Sequence, residues 1–376
     1  MTTWLVRLDA PGAPAEPGPR VAVKDCIDVA GLPTTVGCPV IAERAVAATD
    51  DAPVVASARR AGAVIVGKTN LTELCWSADG INEWSGTPVN PLDATRVPGG
   101  SSSGSAVAVA TGQADVGYGT DTGGSVRVPA ACCGIVGLKT TWGRVPTGGV
   151  YPLAPSLDTV GPLGRDVAAV ELGMRLMEPG FVAPAYDGPM RVGRLRPVDP
   201  AIAIRPEIDA AVDAVLAAAG FAAEDVPGAD FGAALDALAV LIDHEGYLSN
   251  AHLLPDADRL CARNQRNMQI GAQIVPGEVT SARREQAALR ELLDGALHRF
   301  PVLALPTLAT PPPLLDERRT WLTALTGPIN LAGLPALVLP VAAKGDGLPA
   351  SLQLVGPSGG EETLIGVGRI MAAAAG

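Results

Sequence analysis

Apolar residues along this chain fall into two patterns. Short unbroken runs of aliphatic residues occur at Val21–Val23, Ala63–Val66, Ile135–Leu138, Val302–Leu305 and Ala336–Val341. Runs of that length predict strands buried on both faces. Between them the spacing is helical. Ala52–Ala61 predicts a helix whose first turn takes Pro53, where no backbone N–H is needed. Ser105–Thr111, built of small residues and Val, predicts a tightly packed central helix. Glu178–Pro200 is rich in Pro and Gly and reads as a connector. From Pro206 to about Phe300 the composition is mostly helical, with Ala-rich amphipathic runs at Ile208–Ala219 and Ser281–Leu297. Strands mixed with helices at this spacing argue for an α/β fold. No internal repeat is present.

Composition narrows the function classes. With 48% hydrophobic and 18% charged residues over 376 positions, the chain has the means to bury a large core. Its 39 Asp and Glu outnumber 28 Lys and Arg, a net charge of −11. Nucleic-acid binding is driven largely by neutralising phosphates, so no nucleic-acid partner is expected, and an anionic membrane surface is disfavoured likewise. Six Cys in so long a chain are no disulfide scaffold. Adjacent Cys132 and Cys133 suit a buried run in a reducing, cytoplasmic setting. No zinc spacing and no His motif appear among His244, His252 and His298, so no metal is expected. Met1–Arg20 lacks an apolar segment and carries Pro11, Pro14, Pro17 and Pro19, which predicts no targeting sequence. Thr320–Ala343 is uncharged and long enough to span a bilayer. Its Pro328, Pro335 and Pro340 favour loop plus core strand instead.

One motif misleads. Gly62–Thr69 matches the phosphate-binding pattern G-x-x-x-x-G-K-[ST]. Its four middle residues, Ala63–Val66, make an apolar strand, whereas a phosphate cradle needs a loop with convergent N–H groups. A strand followed by a turn is expected there. Asn70–Thr72 is a glycosylation sequon, without meaning in a chain that has no secretory signal.

Two segments are hard to explain by packing alone: Gly99–Ser105, and Gly117–Pro129. Gly-rich loops full of hydroxyls let backbone N–H groups approach a ligand closely. A Ser hydroxyl is a poor nucleophile until a base takes its proton, and without a His in any motif Lys is the candidate base. Burial can lower a lysine pKa by up to ~3–5 units. Lys24 follows Val21–Val23 and so ends a buried strand; the bland alternative is a surface lysine paired with Asp25.

Val23–Asp25, Gly99–Ser105 and Gly119–Ala130 together resemble the amidase signature family. So do Ala61–Asn70, Cys133–Lys139, Ser156–Pro162, Pro306–Thr307, Asn330–Pro335 and Leu352–Pro357, in order, with thin coverage only between about 180 and 300. The resemblance implies a single domain over 1–376 with a large mixed sheet flanked by helices on both faces. The sheet core would come from about 20–175 and 300–376, with a substrate-covering helical region at about 200–300. It implies an amidase needing no cofactor. Ser125 would be the nucleophile, Ser101 a cis-Ser proton bridge and Lys24 the general base. Backbone N–H groups of Thr122, Gly123, Gly124 and Ser125 would form the oxyanion hole. Cys75, Trp76, Asp121 and Arg127 are candidates for substrate binding; Arg127 has the alternative of tying its loop to Asp121 or Asp158. Asp25 and Asp158 would fix loops.

The chain departs from the family in its short N-terminus before Lys24, in Thr140 where Pro is usual, and in Cys26 where Asn is common. Asn82–Pro91 and Arg96–Ala110 are most similar to indole-3-acetamide hydrolase-like amidases, implying a small primary amide as substrate. Alternatives are the glutaminase subunit of a tRNA-dependent amidotransferase, or an ester, carbamoyl or urea-type hydrolase using the same residues. Family habit implies a homodimer.

Overall fold

A computed structural model describes residues 2–8, 17–199, 201–226, 230–317, 322–343 and 347–375. Pro11, Pro14, Pro200 and Thr320 lie outside the described residues. Among the described residues, eleven strands form one mixed sheet: β1 Trp4–Arg7, β2 Arg20–Lys24, β3 Val64–Thr69, β4 Val116–Asp121, β5 Val136–Lys139, β6 Thr159–Gly164, β7 Arg191–Leu195, β8 Ala222–Val226, β9 Leu303–Pro306, β10 Ala336–Val341 and β11 Ala350–Val355. Their spatial order is β1-β3-β2-β4-β6-β5-β10-β11-β9-β7-β8. β2 runs parallel to both β3 and β4, and β7 runs parallel to β8 and β9; the other pairs are antiparallel.

The helices are α1 Pro39–Ala42, α2 Pro53–Arg60, α3 Ser103–Ala110, α4 Arg127–Cys133, α5 Val167–Met177, α6 Pro206–Ala218, α7 Phe231–Asn250, α8 Ala262–Gly271, α9 Pro276–Leu297, α10 Gly327–Leu331 and α11 Glu361–Ala374. They cover both faces of the sheet. Along β2, Val21 and Val23 enter one apolar cluster while Ala22 enters another with Ala108 of α3. Along β10, Leu337 and Leu339 pack with α6 and α11, whereas Ala336 packs with α7, α9 and α10. This alternation is the period of two of a strand, and a sheet buried on both sides needs apolar residues in both phases.

The apolar runs read from the sequence form β2, β3, β5, β9 and β10. The expected helices appear as α2, α3, α6 and α9 with ends shifted by a few residues. One expectation needs correction: the stretch read as a connector holds β7. The stretch read as mostly helical is so, with the short strand β8 added within it. β8 is an edge strand, exposed everywhere but Val226, so it carries no apolar run. β4 and β6 were hidden by their glycines. Gly119 is required because a Cβ there would lie 2.7 Å from Ser102 Oγ, so α3 reaches the sheet only over bare backbone. No helix among the described residues is long and apolar enough to cross a membrane.

Candidate active site

Lys24 ends β2, an inner strand between β3 and β4, and is fully buried. Its Nζ donates to Ser101 Oγ at 2.6 Å and to Thr120 Oγ1 of β4 at 2.7 Å. Among the described residues no carboxylate lies within ion-pair distance of it. Asp25, the next residue, turns away and pairs with Lys68 Nζ at 2.9 Å, both buried. It also accepts the Thr35 N–H at 3.0 Å. The reading of Lys24 as a surface lysine paired with Asp25 is therefore overturned. The phosphate-loop lookalike resolves too: its residues form β3, and its lysine is consumed by Asp25, the Thr34 hydroxyl and the Pro33 carbonyl.

Ser101 follows a cis peptide bond from Gly100 and is fully buried just before α3. The next residue, Ser102, donates its N–H to the Ser125 carbonyl at 3.3 Å, which joins the loop before α3 to the turn between β4 and α4. That turn is held from three directions. Asp121 Oδ2 accepts the N–H groups of Val126 at 3.0 Å and Arg127 at 3.3 Å. Thr122 Oγ1 donates to Asp158 Oδ1 at 2.6 Å, and Thr326 Oγ1 donates to the Gly123 carbonyl at 2.8 Å. Gly124 has φ +137°, and a Cβ there would stand 2.3 Å from Thr326 Oγ1. The backbone N–H groups of Gly123, Gly124 and Ser125 have no acceptor among the described residues. Consecutive unpaired amides beside a hydroxyl can receive a developing oxyanion.

Arg127 is fully buried and pairs with Asp121 through Nη2–Oδ1 at 2.9 Å and Nε–Oδ2 at 3.1 Å. It also donates to the Thr326 carbonyl, to Gln353 Oε1 at 2.6 Å and to Asn330 Oδ1. Burial by itself would raise the Asp121 pKa, but Arg127, Lys139 and Asn330 outweigh it and hold the carboxyl well below the usual carboxylate range. Lys139 is pushed down to about 7, first by burial and then by the Arg127 charge. Burial also raises the Asp158 carboxyl.

Ser125 opens onto a cavity of about 300 Å³, whose wall includes Thr122, Gly123, Cys75 and Trp76. Of the four residues expected to touch substrate, Cys75 and Trp76 line this cavity; Asp121 and Arg127 do not, and instead brace the turn that carries Ser125. The Trp76 indole N–H donates to Asp243 Oδ1 at 3.2 Å, and its ring packs on Gly246, where a Cβ would lie 2.6 Å away. Burial pushes the Asp243 carboxyl up to about 6. Sequence reasoning missed Asp79, Ile242, Arg263 and Thr323, which also line the cavity. Ile242 and Arg263 come from α7 and α8, where the family resemblance is thin and no local pattern marks them. Asp79, three residues after Trp76, was the one within reach of the neighbouring motif. Arg263 Nη1 and Asp79 Oδ2 pair at 2.6 Å across the cavity wall.

A sheet of this order, with Lys24, Ser101 and the Ser125 turn brought together at the ends of β2 and β4, defines an amidase signature fold. The model of the family described as Amidase matches residues 18–181 and 183–365. The chain belongs to this family, hydrolases acting on carbon–nitrogen amide bonds. It is 33% identical over 401 residues to a glutamyl-tRNA(Gln) amidotransferase subunit of Halobacterium salinarum, covering 93% of each chain. It is 50% identical over 158 residues to Amidase 1 of Arabidopsis thaliana, a stretch covering 42% of this chain and 37% of that one. A crystal structure of an amidase superposes with a TM-score of 0.86 at 30% identity, over 95% of this chain and 85% of that one.

Proposed function

We propose that this chain hydrolyses a small carboxylic amide through an acyl-Ser125 intermediate, with Lys24 and Ser101 relaying the proton. The observation carrying this reading is the buried Lys24 amine, 2.6 Å from Ser101 Oγ and 2.7 Å from Thr120 Oγ1, with no carboxylate among the described residues to pair it. With one N–H given to Thr120, the amine lone pair can face Ser101. Ser101 passes its proton to Lys24 as it takes one from Ser125, and Ser125 attacks the amide carbonyl. The N–H groups of Gly123, Gly124 and Ser125 receive the oxyanion, each such donor being worth ~3–4 kcal/mol. The relay returns a proton to the departing nitrogen, and water then cleaves the acyl-enzyme by the reverse path. No step calls on a cofactor.

The cavity supports a small, weakly charged acyl group. Trp76, Leu153, Ile242 and Leu322 supply apolar wall, and the charged pair there, Asp79 with Arg263, is already mutually satisfied. The amidotransferase relatives favour a second reading, the glutaminase subunit of an enzyme acting on glutamyl-tRNA(Gln). Under it the expectation of no nucleic-acid partner falls. Ammonia release from indole-3-acetamide, phenylacetamide, malonamate and glutamine separates the readings. Turnover of the arylacetamides above glutamine is expected. Preference for glutamine turns the choice to the second reading, and no ammonia from any amide, with the fold intact, refutes the acyl-Ser125 mechanism for small amides.

A further inference from the structure

We propose that the cavity on the far side of the Asp79–Arg263 pair is a subsite for a primary ammonium group carried by the amide substrate. This second cavity, also of about 300 Å³, adjoins the one onto which Ser125 opens. Ser77, Asp79 and Arg263 line both, so they form the partition between them. The two sides of the partition differ in firmness. Asp79 is buried, and its Oδ1 accepts the Ile81 N–H at 3.0 Å. Arg263 reaches in from α8 with its side chain 43% exposed, and holds Asp79 and the Ser77 hydroxyl. An ion pair with one partner this open to water is weak. The guanidinium can therefore swing aside and let one end of a substrate pass while its carbonyl sits at Ser125.

The charges around the second cavity select a cation. Glu73, Asp79 and Glu83 stand on its wall with two guanidiniums, Arg259 and Arg263. Arg263 is taken by Asp79, and Arg259 by Glu43 and Asp256, which lie off the wall. Glu73 and Glu83 have no ion-pair partner among the described residues. Glu73 is buried, and its Oε2 accepts the Cys261 N–H and the Asn264 amide, each at 2.9 Å. Those donors are uncharged, so a buried negative charge is left that an incoming cation would balance.

A second, independent sign comes from unpaired polar atoms. Asn264 is buried on the same wall, and its amide nitrogen is committed to the Glu73 carbonyl at 3.1 Å as well as to the Glu73 carboxylate. That fixes which way the amide faces, and its Oδ1 has no donor among the described residues. Thr72 Oγ1, on the wall too, likewise has no partner there. Buried polar atoms are nearly always paired, so two of them on one cavity wall mark a missing donor. A primary ammonium brings three N–H donors and no acceptor. Trp84, half-exposed, adds an indole to the wall, and aromatic rings attract cations. A carboxylate entering here would find only guanidiniums already paired. The subsite rests on the reading of the Ser125 cavity as the place where the amide reacts, and names the substrate further: an apolar stretch at Ser125 with an amine beyond it.

The test is calorimetric titration of the full chain carrying Ser125→Ala, which removes turnover, with octanamide, 8-aminooctanamide and 8-amino-8-oxooctanoate. The ammonium compound should bind about tenfold tighter than octanamide, and the carboxylate no tighter than octanamide. Glu83→Gln combined with Trp84→Ala, both exposed positions, should erase most of that advantage. N-(6-aminohexyl)acetamide against N-hexylacetamide repeats the comparison with the amine on the nitrogen side of the scissile bond. An advantage in the first series places the subsite on the acyl side, and one in the second places it on the leaving side. Equal affinities in both series, a carboxylate that binds best, or an advantage that survives the double variant overturns the proposal. Binding needs no turnover, so an enzyme inactive on every amide would refute the acyl-Ser125 reading while these affinities still decide the subsite.

Discussion

Replacing Arg127 with Met puts a number on the brace behind the Ser125 turn. Arg127 is fully buried, so its removal leaves the Asp121 carboxylate with no opposite charge in contact and deprives Gln353 Oε1, Asn330 Oδ1 and the Thr326 carbonyl of a donor. Breaking a buried pair by deleting one partner costs about 3–5 kcal/mol, most of it the uncompensated charge. The expected loss is about 4 kcal/mol at pH 7.5, read from urea midpoints followed by tryptophan fluorescence. The pH dependence gives the reasoning its edge. In the intact protein Asp121 is held below its unfolded pKa, so its contribution is present above that unfolded value and lost as pH falls. Without Arg127 only the Asn330 amide, the backbone N–H groups and the more distant Lys139 oppose burial, and the Asp121 pKa rises. The variant then sheds much of its penalty by protonating, so its deficit should shrink to about half by pH 4.5. Asp121→Asn added to Arg127→Met should recover about 2 kcal/mol at pH 7.5, since the buried charge is gone. A deficit below about 1 kcal/mol at pH 7.5, or one equal at both pH values, refutes the account.

Ser125→Ala and Lys24→Met should each lower amide turnover by about 10⁴-fold or more while circular dichroism stays native; near-normal ammonia release by the Lys24 variant removes that residue from the relay. Gly124→Ala should cost about 2 kcal/mol and at least tenfold in kcat, because the new methyl meets Thr326 Oγ1 at a φ that L residues avoid. Unchanged turnover would mean the turn has slack that the geometry denies. Asp243→Asn keeps the acceptor for the Trp76 indole but removes a carboxyl whose pKa burial raises to about 6. A raised carboxyl destabilises only where it ionises, so the variant should gain about 2 kcal/mol at pH 8 and nothing near pH 4. A gain of equal size at both pH values would point to packing instead.

Much of the site was legible because its chemistry is local. Gly99–Ser105 and Gly117–Pro129 announce backbone that must approach something closely, and the short apolar run before Lys24 announces burial of an amine. These are consequences of residue type over a few positions: a missing Cβ, a hydroxyl, an unbroken aliphatic run. The strands β4 and β6 escaped notice because glycines erase the apolar signature of a strand: in β4 they let α3 settle on the sheet, and in β6 Gly161 faces the Leu138 carbonyl and Gly164 faces Ala169 of α5. β8 escaped because an exposed edge strand has nothing to bury.

What the chain could not announce is which distant groups meet. The partner of Asp25 is Lys68 rather than Lys24, because β3 lies beside β2 and carries Lys68 to the buried side. Asp121 and Arg127 look like ligand-binding residues beside Ser125, yet Asn330, Thr326 and Gln353, some 200 positions away, claim them for the turn. Ile242 and Arg263 reach the cavity only because α7 and α8 fold over its opening. Local steric and polar character is a property of the residues themselves. Pair formation between buried charges depends on which surfaces the strand order brings together, and that order is set by the packing of the whole sheet.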